Sequence, residues 1–114
     1  MTALFSSHAN IWKSLFTSEG LRWNDFPWPV FKRPSEPEDM TTQTIGAYVL
    51  SKNAPDAQKS SKDRIKDHIK RWHPDRFETK VLPRVFQTDR DKVKAGAGVV
   101  ARGLNELLSR RQED

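Results

Sequence analysis

Three adjacent residues carry the densest chemistry in this chain: His73, Pro74 and Asp75. They offer an imidazole, a ring that fixes the backbone, and a carboxylate. Immediately upstream lies a basic stretch. Across residues 59–71, the six cations Lys59, Lys62, Arg64, Lys66, Lys70 and Arg71 oppose only Asp63 and Asp67. An acidic groove on a partner is the natural complement of such a run, although charge runs also serve simply as solvated helix faces. Other chemistry is poorly provided for. A metal site would need more ligands, yet the remaining histidines are His8 and His68, His68 is five residues from His73 where a helix would want four, and cysteine is absent. A catalytic His–Asp pair would need a nucleophile or a glycine-rich pocket nearby, and neither is apparent. No catalytic residue is therefore expected. Two readings of the tripeptide stay open: a turn capped by Asp75 with His73 packed locally, or a contact surface for a partner.

These residues need elements to position them. Ile65, Ile69 and Trp72 recur at spacings of four and three, which predicts a helix with Lys62, Lys66, Lys70 and Arg71 directed mostly elsewhere. Ser60 or Ser61 is its expected N-cap, and Asp63 suits its first turn. Pro74 should end the helix at His73, leaving His73-Pro74-Asp75 in a loop. Downstream, Val93, Ala97, Val100, Leu104, Leu107 and Leu108 predict a long helix over about 90–110. Gly96, Gly98 and Gly103 each cost it about 1 kcal/mol relative to alanine, so another backbone is expected close by, most simply the basic helix. A helical turn is expected near Val81 to Phe86. Upstream of the basic helix, Ile45, Tyr48 and Val49 predict a helix over 42–50 capped by Thr41 or Thr42. Residues 53–59, which include Pro55, read as a loop.

The N-terminal third divides in two. Leu4, Phe5, His8, Ile11, Trp12, Leu15 and Phe16 form a helical stripe closed by Thr17-Ser18-Glu19-Gly20, with Gly20 as the C′ residue. The stripe would pack on the domain or dock into a partner's groove. A membrane-surface role fits less well, since Lys13 is its only strong positive charge. Four prolines within residues 24–39 exclude helix there and predict an extended strap. Phe26, Trp28 and Phe31 alternate with those prolines, so the strap should press its rings on the surface of the domain. Asp25, Phe26, Pro27, Trp28 and Pro29 are the residues through which it could dock elsewhere. The expected organisation is an amphipathic helix at 1–20, the strap at 21–40 and a helical domain at 41–111, all-α throughout.

A basic amphipathic helix running into His-Pro-Asp, with a further helix downstream, resembles the J-domain of DnaJ-type co-chaperones. Arg71-Trp72-His73-Pro74-Asp75-Arg76-Phe77, the upstream Asp25-Phe26-Pro27-Trp28-Pro29 and the late Val99-Val100-Ala101-Arg102-Gly103-Leu104-Asn105-Glu106-Leu107 narrow this further. Over residues 11–109 they resemble the C-terminal region of NF-kappa-B inhibitor-like protein 1 and its fungal relatives. The resemblance implies a J-domain-like helical hairpin. It also implies a contact surface formed by Lys62, Lys66, Lys70, Arg71, His73, Pro74 and Asp75. The partner would be the ATPase domain of an Hsp70, whose own ATP is the only cofactor involved. Alternatively the partner would be a nuclear assembly concerned with transcription or pre-mRNA splicing. The chain departs from ordinary J-domains in having Ile45-Gly46-Ala47-Tyr48-Val49-Leu50 where the first helix usually carries Tyr-x-x-Leu.

Composition bounds the remainder. At 114 residues with 35% apolar and 31% charged residues, the chain suits one modest core, rich in the rings of four Trp and six Phe. A formal net charge of +5 favours acidic partners. Nucleic acid is a weaker expectation, because Trp72 should be core and no base-reading element accompanies the lysines. Gly96-Ala97-Gly98 lies within a helix, so it does not read as a phosphate loop. No apolar run approaches the roughly 18 residues of a membrane span, and the N-terminus lacks the marks of a secretory signal. Absence of cysteine fits a reducing compartment. A non-enzymatic interaction module in nucleus or cytoplasm is the expectation.

Overall fold

The computed structural model describes residues 2–112 and is all-helical, with one isolated parallel bridge between Leu21 and Val85 and no strand among those residues. Five α-helices follow one another: α1 (Thr2–Leu15), α2 (Thr42–Val49), α3 (Ser61–Trp72), α4 (Pro74–Lys80) and α5 (Arg90–Gln112). Short 3-10 turns at Trp23–Asp25, Pro37–Asp39, Leu82–Arg84 and Gln87–Asp89 punctuate the connections. Helix α5 is the spine against which α2 and α3 pack. Its buried row is Val93, Ala97, Val100, Leu104 and Leu107; Leu108, expected in that row, is half-buried.

Local signals set the helix starts. Thr41 caps α2, accepting from the Thr44 amide (3.1 Å), while the Thr44 hydroxyl accepts from the Thr41 amide (2.9 Å), so two otherwise orphaned donors are satisfied reciprocally. Ser60 caps α3 by accepting from the Asp63 amide (3.1 Å). At the end of α1, the Ser18 hydroxyl donates to the Ser14 carbonyl (2.7 Å) and the Ser14 hydroxyl to that of Ile11 (2.8 Å). Gly20 is not the C′ residue of α1. The helix stops at Leu15, and Gly20 turns the chain further on with φ 66°, a left-handed value that suits glycine.

The expected loop at His73-Pro74-Asp75 is also replaced. Helix α3 ends at Trp72, His73 alone is non-helical (φ −55°, ψ 129°), and Pro74 is already the first residue of α4. Proline breaks the helix behind it but is favoured at a helix start, where its missing N–H costs nothing. Asp75 then lies in the first turn, where a carboxylate suits the positive end of the helix. The motif is thus a one-residue corner between two helices.

The strap departs most from expectation. Its apolar residues lie inside the core instead of on its surface: Phe26, Pro27, Trp28, Pro29 and Val30 are all buried, and of its aromatic rings only Phe31 is exposed. Trp28 stacks on Trp72 (centroids 5.3 Å apart, 17° between planes) and lies 4.4 Å from Trp23. Trp12 of α1 also packs on Trp72, tilted by 55° with centroids 5.0 Å apart. The buried indoles of the strap have their donors satisfied, Trp23 Nε1–H by the Pro34 carbonyl (2.6 Å) and Trp28 Nε1–H by that of Trp23 (3.1 Å). Phe5, Trp12 and Leu15 of α1 join the same cluster. The segments 1–20, 21–40 and 41–111 therefore share one core as far as they are described.

The glycines of α5 follow from this. A Cβ on Gly96 would meet Trp23 at 2.6 Å and Trp28 at 2.8 Å, and one on Gly103 would meet Ile45 at 3.0 Å. Their close neighbours are the strap and α2, not the basic helix.

Candidate partner-binding surface

Helix α3 sorts its charges by burial. Arg64 is drawn inside, only 5% exposed, with its guanidinium donating to Asp56 Oδ1 (3.2 Å) and to the Ser51 carbonyl (2.6 Å). Its cation is therefore neutralised and fixes the loop that precedes α3. Lys59 pairs with Asp67 at 3.0 Å, both about half exposed. Lys62, Lys66 and Lys70 remain, all exposed and spaced by four along one strip of the helix. Arg71 turns away from that strip. It is half-buried with its guanidinium 5.4 Å from the centre of the Trp12 ring.

The lysine strip leads to the corner, where His73, Pro74 and Asp75 are all exposed. His73 Nδ1 accepts from the Asp75 amide at 3.3 Å, so the imidazole serves as the cap of α4. Expected turn-capping by Asp75 is thus performed by His73. The Asp75 side chain has no hydrogen bond or ion pair among the described residues, and its neighbour Arg76 lies over the Phe16 ring at 5.7 Å. The structure consequently brings Lys62, Lys66, Lys70, His73, Pro74 and Asp75 to one exposed edge and leaves Arg71 at its margin. It does not bring the strap there. Phe26, Pro27, Trp28 and Pro29 are enclosed, and Asp25, the exposed member, uses its carboxylate to accept from the Arg22 amide (2.8 Å). Those rings are unavailable to a partner while the protein is folded, and Trp12 and Leu15 of α1 are buried likewise.

A second polar cluster escaped the sequence reading. The Tyr48 hydroxyl and His8 Nδ1 are 2.7 Å apart, and the His68 ring lies edge-on to Tyr48 at 6.4 Å. Burial, opposed in part by Arg71, pushes the Tyr48 phenol up to about 12, and burial with nearby Arg33 lowers His8. A phenol that keeps its proton donates to an unprotonated Nδ1, which leaves the His8 ring proton on Nε2. His68 is driven down to about 4, chiefly by burial and secondly by Arg71, and its Nδ1 is buried without a hydrogen-bond partner among the described residues. The spacing of His68 from Ile65 and Trp72, three and four residues, is the one local signal that it faces inward on α3. Nothing local in the sequence could have joined it to Tyr48 and His8.

An all-helical domain whose basic helix turns a proline corner into a short helix is the class defined here. The chain belongs to the NF-kappa-B inhibitor-like protein 1 C-terminal domain family, whose model matches residues 43–112. That match runs from the first turn of α2 to the end of α5, so it includes the lysine strip and the corner and leaves out α1 and the strap. Comparison with curated proteins and with solved structures finds none that matches. No described helix is long and apolar enough to cross a membrane.

Proposed function

We propose that the protein is a non-enzymatic interaction module that docks on an acidic protein surface, as one component of a nuclear regulatory assembly. The observation that carries this reading is the strip of Lys62, Lys66 and Lys70, exposed, free of ion pairs among the described residues, and continuous with the exposed corner at His73–Asp75. Membership of the NF-kappa-B inhibitor-like family supports the regulatory setting. Transcription and pre-mRNA splicing are the processes that the resemblance implies. Rim charges of this kind steer association, and their effect is screened over about 8 Å at physiological salt. Reversing Lys66 and Lys70 to Glu should slow binding to the assembly more than it speeds dissociation, read by surface plasmon resonance at several salt concentrations. Salt-insensitive binding, unchanged in the double variant, would remove the strip from consideration.

Exposure of all three corner residues favours a second reading, co-chaperone action on an Hsp70 ATPase domain. In that case the wild-type protein should stimulate the chaperone's ATP hydrolysis and Asp75→Asn should abolish it with the melting temperature unchanged. The regulatory reading expects no stimulation by either form.

A further inference from the structure

Away from the lysine strip, α1, α2 and α3 enclose a crevice of about 220 Å³. Arg71, on its wall, is about 140° round α3 from Lys66 and about 100° from Lys70 at 100° per residue, so the crevice opens to one side of the strip and adjoins it only at that margin. One side of the crevice is apolar, formed by Phe5, Val49 and Ala54. The other is rich in donors: the Arg71 guanidinium, the His8 ring and the His68 ring. Asp56, also on the wall, is occupied by Arg64 at 3.2 Å, whereas Arg71 has no carboxylate partner among the described residues. Arg33 adds a second cation close enough to act on His8. His68 contributes a buried Nδ1 with nothing to bond to. Unpartnered buried polar groups are costly; with the His68 proton on Nδ1 what is lacking is an acceptor, and the unpaired Arg71 favours one with negative charge.

We propose that this crevice receives one glutamate side chain from an acidic segment of a partner, with its methylenes against Phe5, Val49 and Ala54 and its carboxylate on Arg71 and the imidazole N–H groups. One feature selects glutamate over inorganic phosphate: the guanidinium fork accepts either anion, but the apolar wall rewards buried methylenes that phosphate lacks. Both rings are neutral near pH 7, so each supplies a single N–H without adding charge that would attract anions indiscriminately. The site is independent of which partner the lysine strip takes.

The probe is the capped peptide acetyl-Gly-Glu-Gly-amide, titrated into the full chain while the ring Cε1–H signals of the three histidines are followed by NMR. His73 sits outside the crevice and is the internal control. His8 and His68 should shift saturably with a Kd in the region of 1 mM, a scale suited to a single side chain, while His73 stays put. The glutamine analogue and inorganic phosphate should leave all three unmoved. Arg71→Gln should weaken the peptide at least tenfold. Ala9→Phe, at the exposed rim of the crevice, should abolish the shifts with the core intact, so the test survives if the arginine variant unfolds. Absence of saturable shifts, equal response to the glutamine peptide, or phosphate binding as well as glutamate would each overturn the assignment.

Discussion

His68 holds its ring against Tyr48 with a buried, unpartnered nitrogen and a pKa near 4. The unfolded chain would titrate that ring near 6.5, so between the two values the unfolded state binds more protons and stability falls as pH falls. Above about 6.5 the full stability is present. Burial is the first cause and Arg71 the next; Arg64 acts the same way, while Asp56 and Asp67 oppose them. His8 is shifted in the same direction. A displacement of this size corresponds to roughly 3 kcal/mol lost on approaching pH 4. The melting temperature should therefore drop between pH 7 and pH 4.5, and His68→Leu should remove a substantial part of that drop. An identical slope in the variant would mean that His68 does not control acid stability. At this scale the sequence disclosed the exposed chemistry, Lys62 to Asp75, because charge and turn signals are local. It did not disclose the Arg64–Asp56 pair or the histidine cluster, because their partners come from other elements.

Helix α5 contains a paired experiment in its glycines. Alanine is worth about 1 kcal/mol more than glycine in a helix interior. At Gly98 the added carbon would meet only the flexible end of Arg102, at 3.2 Å, so Gly98→Ala should stabilise the protein by up to about that amount. At Gly96 it would collide with two buried indoles at 2.6 and 2.8 Å, so Gly96→Ala should destabilise it in spite of the same propensity gain. Calorimetry of the two variants should give melting shifts of opposite sign; shifts of the same sign would mean that the strap does not press on Gly96. The helices and their caps were legible because periodicity and Ser or Thr caps act over one or two turns. Helix α4 was not, since proline signals a stop behind itself and a start ahead of itself with equal force. The glycines announced a close neighbour without naming it, and the neighbours proved to be the strap at Gly96 and α2 at Gly103.

For the whole molecule, the strap decides what counts as the folding unit. Trp28 is 2% exposed, hydrogen-bonded, and stacked between parts of the chain far apart in sequence. Trp28→Ala should cost about 3–5 kcal/mol, the usual loss for an emptied aromatic site, against roughly 5–10 available to a small domain. Thermal unfolding of the variant measures it, and an unaltered melting temperature would refute the packing. The fragment 41–112, close to the family match, would lose Trp12, Trp23 and Trp28 from around Trp72 and should lack a cooperative melt and dispersed amide signals. A sharp transition at the full-length temperature would instead make the first forty residues an appendage. The all-α class was legible from periodicity alone. The shared core was not, because prolines report only that a segment is extended and say nothing of whether it lies inside or outside.

Four tryptophans in the sequence become one contiguous row, Trp12–Trp72–Trp28–Trp23, with successive ring centres 5.0, 5.3 and 4.4 Å apart. At such separations indole transitions no longer behave as independent oscillators. Their excited states mix, and absorbed light migrates along the row before it is emitted. The folded protein should therefore glow as a single chromophore, with an intensity well below that of four separate indoles and a paired positive and negative dichroic band near the indole transition. That band would overlap the helical signal in the far ultraviolet, and it should weaken when either inner ring is replaced, even where every helix survives, because only one adjacent pair is then left.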